Sequence, residues 1–476
     1  MHTKWILCLA LATALLIAAC QPDELPEPEL PIEEPPTLPT GTSFIAPSDQ
    51  RSGDASAGQE YLIYGNYVSS GIPYNIYKLV FGDDTENALN RTGDNATIGP
   101  GFTAVDYENG TRVVVGNCLT CHGQHLNGNY YVGLGNTLQD FTADQSSLIP
   151  LVDQAIIITY GANSPEWEAY LPFRQAIVAV GPHLVTDVVG INAADMLTAV
   201  LVAHRDKDDL TWSDTPLVPI PAPGELVPTD VPPWWHLKKK NAMFYSGIGR
   251  GDFAKFLMSS SLLTMKDSAE ARIIDDQFAN VLEFIKTIEP PAFVGPIDEV
   301  AANRGAAIFE SNCQQCHGSY GSEESYPNLL VNLDRIGTDS LLATVNYSSN
   351  QFVDWYNASW FANSDDSPGE LVVTGAYVAP PLDGIWASAP YLHNGSVPTL
   401  QDLLKSAERP TFWERSFDTN DYDFDKIGWN YETRTSKLNA QTYDTTKPGY
   451  GNQGHTFGDN LSDTNRADLI EYLKTL

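Results

Sequence analysis

Asn303-Arg304-Gly305-Ala306-Ala307-Ile308-Phe309-Glu310-Ser311-Asn312 runs straight into Cys313-Gln314-Gln315-Cys316-His317, and this stretch decides how the chain is read. The first ten residues read as a helix. The next five set two thiols one helical turn apart, with an imidazole directly after them. Each thiol can add to one vinyl group of a haem, and the histidine then meets the iron from the proximal face. The same pattern occurs once more, as Cys118-Leu119-Thr120-Cys121-His122. Spacing alone leaves two rivals: a redox dithiol, or a zinc site built from both cysteine pairs. A thioredoxin-like dithiol needs a preceding strand, and none is read before Cys118. A zinc site leaves both histidines unused. The motifs therefore predict two covalently bound c-type haems with their irons. Cys118, Cys121, Cys313 and Cys316 are the attachment points, and His122 and His317 are the proximal ligands.

Outward from the second motif, Ser462 reads as an N-cap for an apolar-periodic helix through Leu469, Ile470, Leu473 and Leu476. Val281-Leu282-Glu283-Phe284-Ile285-Lys286-Thr287-Ile288 parallels Leu469-Ile470-Glu471-Tyr472-Leu473-Lys474-Thr475-Leu476, and Pro290 and Pro291 stop the first copy. A helix before the motif and a second helix closing the segment is how small cytochromes c are built. The expected fold is mostly α. It comprises two cytochrome c-type domains, 51–292 and 297–476, with long loop-rich insertions, behind a disordered N-terminal tether.

The chain has 476 residues, 42% hydrophobic and 18% charged, with 36 glycines and 32 prolines. That suits a loop-rich protein with a sizeable core. Its net charge of -33 repels nucleic acid and anionic lipid surfaces. Lys4 followed by an apolar run over 5–17 reads as a secretory signal, 1–19. Ala18-Ala19-Cys20 resembles a bacterial lipobox, with Cys20 lipidated, and the proline- and acid-rich segment 20–50 reads as an extended tether. Cys8 lies in the signal, so none of the six cysteines is left for a disulfide. The expected location is exported and membrane-anchored through the lipid alone, at the outer membrane on its periplasmic or surface face.

The insertions should hold the rest of the haem environments. Residues 193–204 read as a helix ending in His204-Arg205-Asp206, and a proline-rich crossing follows over 216–233. Then come Trp234-Trp235-His236 and the run Lys238, Lys239, Lys240. The lysines are a solvated face or partners of haem propionates; the tryptophans are core packing or an aromatic bridge between haems.

Ala389-Pro390-Tyr391-Leu392-His393-Asn394-Gly395-Ser396, preceded by Pro381-Leu382-Asp383-Gly384-Ile385-Trp386, carries a further signature. So do Ser70-Gly71-Ile72-Pro73, Ala203-His204-Arg205-Asp206, Pro233-Trp234-Trp235 and Gly454-His455-Thr456-Phe457-Gly458. Together with the CxxCH motifs they resemble the bacterial di-haem cytochrome c peroxidase superfamily, in its rubber oxygenase A-like branch. The chain is shorter than typical rubber oxygenases, so the resemblance does not name a substrate. It implies that His455 is the distal ligand of the second haem, making that centre low-spin and electron-transferring. The first haem would keep an open position for peroxide or dioxygen. Trp235, with Trp234 as second choice, would couple the haems, and His393, His204 and Arg205 would stand around the centres rather than ligate iron. The implied protein is an oxidoreductase of peroxidase or dioxygenase type, whose further partner is an organic substrate or a small redox protein donor. A non-catalytic di-haem electron-transfer lipoprotein is the alternative.

Overall fold

Short polar residues open the four helices that frame the chain. In the computed structural model, which describes residues 38–222, 226–348, 351–364 and 367–476, Asp54 caps α1 (Ala55–Tyr64) and Asp267 caps α2 (Ser268–Thr287). Asp298 caps α3 (Glu299–Asn312) and Ser462 caps α4 (Asp463–Leu473). Each side chain accepts from a first-turn N–H that no helical carbonyl reaches. The buried positions of α2, among them Ala271, Ile274, Phe278, Val281, Leu282 and Ile285, recur every three or four residues. The signal 1–19, Cys20 and the tether as far as residue 37 lie outside the described residues.

α1 packs on α2, and α3 packs on α4. Gly58 of α1 lies against the carbonyl of Asn280, and Gly305 of α3 lies against that of Asp468; a Cβ at either glycine would overlap the oxygen. Asn280 and Asp468 each immediately precede the paired segments 281–288 and 469–476. Lys286 pairs with Glu283 at 2.6 Å, and Lys474 with Glu471 at 2.6 Å, again at matching places. The internal repeat is thus a repeat in space, with the same glycine-mediated crossing twice.

Four expectations need correction. The fold is not mostly α: helix accounts for 38% and strand for 14%. The insertions form small antiparallel sheets among the described residues. In one of them Ile72–Pro73 and Phe102–Asp106 flank Arg112–Gly116, so a strand does precede Cys118. Its run Val113-Val114-Val115 is fully buried, and β-branched residues favour that setting.

Nor do the two halves stand apart. Residues 39–476 form one compact unit. Gly249–Gly251 pairs with Gly369–Leu371 across the boundary. One hydrophobic core joins Trp355, Trp360 and Phe361 to first-half residues such as Leu62 and Phe278, and another joins Leu126, Leu134 and Trp235 to Trp386, Trp429 and Leu469. The 20–50 tether is also too long. Thr42–Phe44 pairs with Leu329–Asn332, and Ile45 is buried with Ala242, Leu330 and Val378. Ile45, buried where its neighbour Phe44 is exposed, anchors this polar, proline-rich stretch together with the strand pairing. No helix among the described residues is long and apolar enough to cross a membrane.

Candidate haem centres

The second centre is built where α3 ends. Cys313 closes α3, the turn Gln314–His317 follows, and Gly318 stops it at φ 86°. His317 directs Nδ1 to the Pro380 carbonyl at 2.8 Å. That hydrogen bond fixes the ring and leaves Nε2 free as a metal ligand. Opposite it stands His455, with ring centroids 6.3 Å apart and planes inclined at 58°. Two imidazoles bound to one first-row metal at about 2.0–2.1 Å each have their centroids roughly 6 Å apart. Between and around the rings opens a cleft of about 1630 Å³, its open mouth included, walled by Cys313, Cys316, Val331, Pro381, Leu404 and Leu473. The donor set, the facing rings and the apolar cleft fit a c-type haem.

His455 is held from the backbone. Its N–H donates to the Ile336 carbonyl at 2.7 Å, and Arg409 donates to its carbonyl at 3.1 Å. Gly454 sits at φ 77° so tightly against Gly337 that no Cβ could be accommodated. The glycine-flanked loop read from the sequence is therefore a close approach of two backbones.

The first centre follows a different local plan. Asn117 accepts from the Leu119 N–H and starts the turn Cys118–Thr120. His122 turns Nδ1 toward the Pro232 carbonyl without closing a hydrogen bond of good geometry. Trp234 stacks on its ring at 4.6 Å and 19°. Asn192 donates to the Cys121 sulfur at 3.5 Å, and Ser260 lies 3.8 Å from the Cys118 sulfur. Among the described residues no second imidazole faces His122. His125 meets Glu86, His204 meets the Ser213 carbonyl, His236 meets the Asp383 carbonyl and His393 meets Tyr377; His183, whose buried Nδ1 has no hydrogen-bond partner, makes no ring contact with His122 either, which stacks on Trp234.

Burial sets the protonation of these groups. It pushes the His122 and His455 imidazoles down to about 3 and lowers His317, so all three are neutral and able to bind metal near pH 7. Burial also pushes Cys313 up to about 12 and raises Cys118, Cys121 and Cys316. A redox dithiol needs the opposite shift. This replaces the absent-strand argument, which the fold overturns. Cys118 packs against one core and Cys313 against another, and no group of three or more metal-ligating side chains among the described residues includes either pair. A four-thiol zinc site is not assembled.

The remaining site residues divide clearly. Trp235 is buried in the core around the second motif, and its indole N–H donates to the Asp383 carbonyl at 2.7 Å. His393 lines the second cleft with Nε2 3.1 Å from the Tyr377 hydroxyl. Burial pushes it down to about 3. His204 stacks on Trp212 at 4.8 Å. Arg205 donates to the carbonyls of Leu210, Leu262 and Met265, bracing the turn that carries Ser260. Both serve the scaffold one layer out. Sequence reading missed the carbonyls of Pro232 and Pro380. The signal was there: Pro232-Pro233 and Pro380-Pro381 each stand shortly before a tryptophan.

Residues 376–414 match the family described as RoxA-like, cytochrome c-like. The match lies over the Pro380 carbonyl, Asp383, His393 and the segment 389–396. This part of the chain is cytochrome c-like, which implies a c-type haem with its iron and fits a redox protein. Two proteins of Sinorhizobium fredii (strain NBRC 101917 / NGR234) are similar. Uncharacterized protein y4iJ is 35% identical over 248 residues, 39% of this chain and 40% of that protein. Uncharacterized protein y4iM is 30% identical over 291 residues, 52% of this chain and 64% of that protein. The matches therefore span about 40% of one relative's length and 64% of the other's.

Proposed function

We propose that the chain is an exported oxidoreductase with two unequal c-type haem centres, one for chemistry and one for electrons. The observation that carries this reading is the contrast between His317, which faces His455 at 6.3 Å, and His122, which faces no imidazole among the described residues. Cys313 and Cys316 would hold the second haem, with His317 and His455 as axial ligands. Cys118 and Cys121 would hold the first, with His122 on one side only. When bound, such a haem supplies an iron able to exchange electrons and, where a position is open, to bind peroxide or dioxygen.

The protein's own part is positioning and connection. Trp234 stacks on His122, its neighbour Trp235 donates to the Asp383 carbonyl, and residues 380–383 lead back to the carbonyl that holds His317. This short route of rings, peptide bonds and hydrogen bonds joins the two proximal imidazoles. It gives both tryptophans a part: Trp234 at the first centre and Trp235 toward the second. Export and lipidation at Cys20 belong to the same proposal, because c-type haem is attached outside the cytoplasm. An organic substrate or a small redox protein would complete the reaction. The test is to titrate the reduced holoprotein with peroxide and with dioxygen while recording its visible spectrum. Reaction at one haem of two supports the proposal. Two unreactive haems make the protein a plain electron carrier.

A further inference from the structure

Around the second cleft, hydrogen-bond donors lack acceptors. Of the three consecutive lysines, Lys238 pairs with Glu289 at 2.7 Å, and Lys239 pairs with Glu324 and with Asp383. Lys240 lines the cleft instead. Among the described residues it meets no carboxylate, and its ammonium reaches only the Phe244 carbonyl, at 3.5 Å, too long for a good hydrogen bond. Burial lowers this ammonium to about 8, as expected of a cation without its counter-charge. Arg335 and Thr338 line the same cleft. Arg335 donates Nη1 to the Thr40 carbonyl, but its Nε is buried without a partner, as is the Thr338 hydroxyl oxygen. Thr338 is 7% exposed, so solvent does not satisfy it.

Asp230 is the one carboxyl among the described lining residues, and it does not answer these donors. It accepts from the Tyr245 hydroxyl at 3.1 Å, and burial raises it to about 7. The Arg335 Nε and the Thr338 hydroxyl are buried donors without acceptors, which are costly and normally rare, and half-buried Lys240 adds an unpaired charge beside them. Two cations and a hydroxyl on one cleft therefore imply that an anion occupies it when the protein is complete.

We infer that Lys240, Arg335 and Thr338 receive the two propionate carboxylates of the haem seated in this cleft. The inference rests on the haem reading above. With its vinyl edge fixed at Cys313 and Cys316, the haem presents two carboxylates and no other anionic group, and charge-assisted hydrogen bonds suit both cations. Lys238 and Lys239 already have carboxylate partners, the first at the surface and the second half-buried against Asp383, so one lysine of the run is left for the cofactor.

The experiment uses the mature, haem-loaded protein. Covalent haem is first counted by haem staining and the pyridine haemochrome spectrum. The midpoint potential of the low-spin centre is then measured by spectroelectrochemistry for the wild type, Lys240→Met, Arg335→Met, Thr338→Val and the control Lys238→Met. Loss of a cation beside a propionate favours the ferric state. Lys240→Met and Arg335→Met should each lower the ferrous-to-ferric ratio about tenfold at fixed potential, equivalent to about 59 mV for one electron. Thr338→Val should act in the same direction more weakly, and Lys240→Arg and Arg335→Lys should restore the wild-type value. The propionate bending band in resonance Raman should move in the same variants, a second readout where a variant matures poorly. A variant indistinguishable from Lys238→Met by both readouts removes that residue from the anchor, and both cation variants unshifted overturn the inference alone. A wild-type protein without covalent haem overturns this inference and the proposed function together.

Discussion

His455 adopts φ 46°, a left-handed conformation that costs a non-glycine residue roughly 1–2 kcal/mol. The loop keeps it because the peptide on either side is pinned, by Gly454 against Gly337 and by the Ile336 and Arg409 hydrogen bonds. Backbone contacts of the chain itself thus set where the imidazole stands. A prediction at this scale concerns pH. His393 is held neutral by burial, down to about 3 against about 6.5 when unfolded. On acidification the unfolded chain binds this proton first, so stability falls as pH drops from about 6.5 toward 3, by at most about 1.4 kcal/mol per pH unit from this group. Asp230, raised to about 7, works in the opposite sense: its contribution is full below about 4 and is lost as pH rises through 7. Comparing wild type with His393→Phe isolates the histidine. The variant should show a shallower loss of denaturation midpoint between pH 6.5 and 4; parallel curves would contradict the assignment. At residue scale the sequence pointed to the side chains proposed to carry chemistry, because CxxCH has few other uses. It hinted at the Pro380 carbonyl that holds His317 only through the neighbouring Pro380-Pro381 pair, since a backbone acceptor has no residue type.

The α3–α4 crossing carries the second motif directly, while the first motif follows the strand Arg112–Gly116 and packs on the core that α1 and α2 share. Gly305→Ala places a methyl where the Asp468 carbonyl lies. It should destabilise the protein by about 1–3 kcal/mol, read as a lower denaturant midpoint, while an alanine at exposed Glu310 leaves the midpoint within about 0.5 kcal/mol. The helices were legible from caps, periodicity and the proline stop. The strand Arg112–Gly116 was equally legible in Val113-Val114-Val115 but was outweighed by the expectation of a helix-built domain. The two-residue and three-residue strands elsewhere were not legible, because runs so short show no periodicity and, Tyr422–Asp423 with Gly428–Trp429 apart, their pairing partners lie outside any local window.

Across the whole molecule, the duplicated plan is fused rather than strung together. Trp235 belongs to the core of the second half, while Trp355 and Trp360 belong to that of the first. Expressing 1–291 and 292–476 separately should yield neither half as a soluble, haem-loaded protein, whereas the full chain should. Recovery of either half alone with its haem would show that the domains are separable. Sequence periodicity revealed the repeat but not this interlocking, which depends on contacts between segments with no shared pattern. The interlocking carries the tryptophan pair between the motifs and so underlies the claim of two coupled, unequal centres.

That claim is tested most directly by electron paramagnetic resonance of the oxidised holoprotein and of His455→Ala. The wild type should show one low-spin and one high-spin ferric signal, and His455→Ala should convert the low-spin signal to high spin. Two low-spin signals in the wild type, or a low-spin signal untouched by His455→Ala, would contradict it.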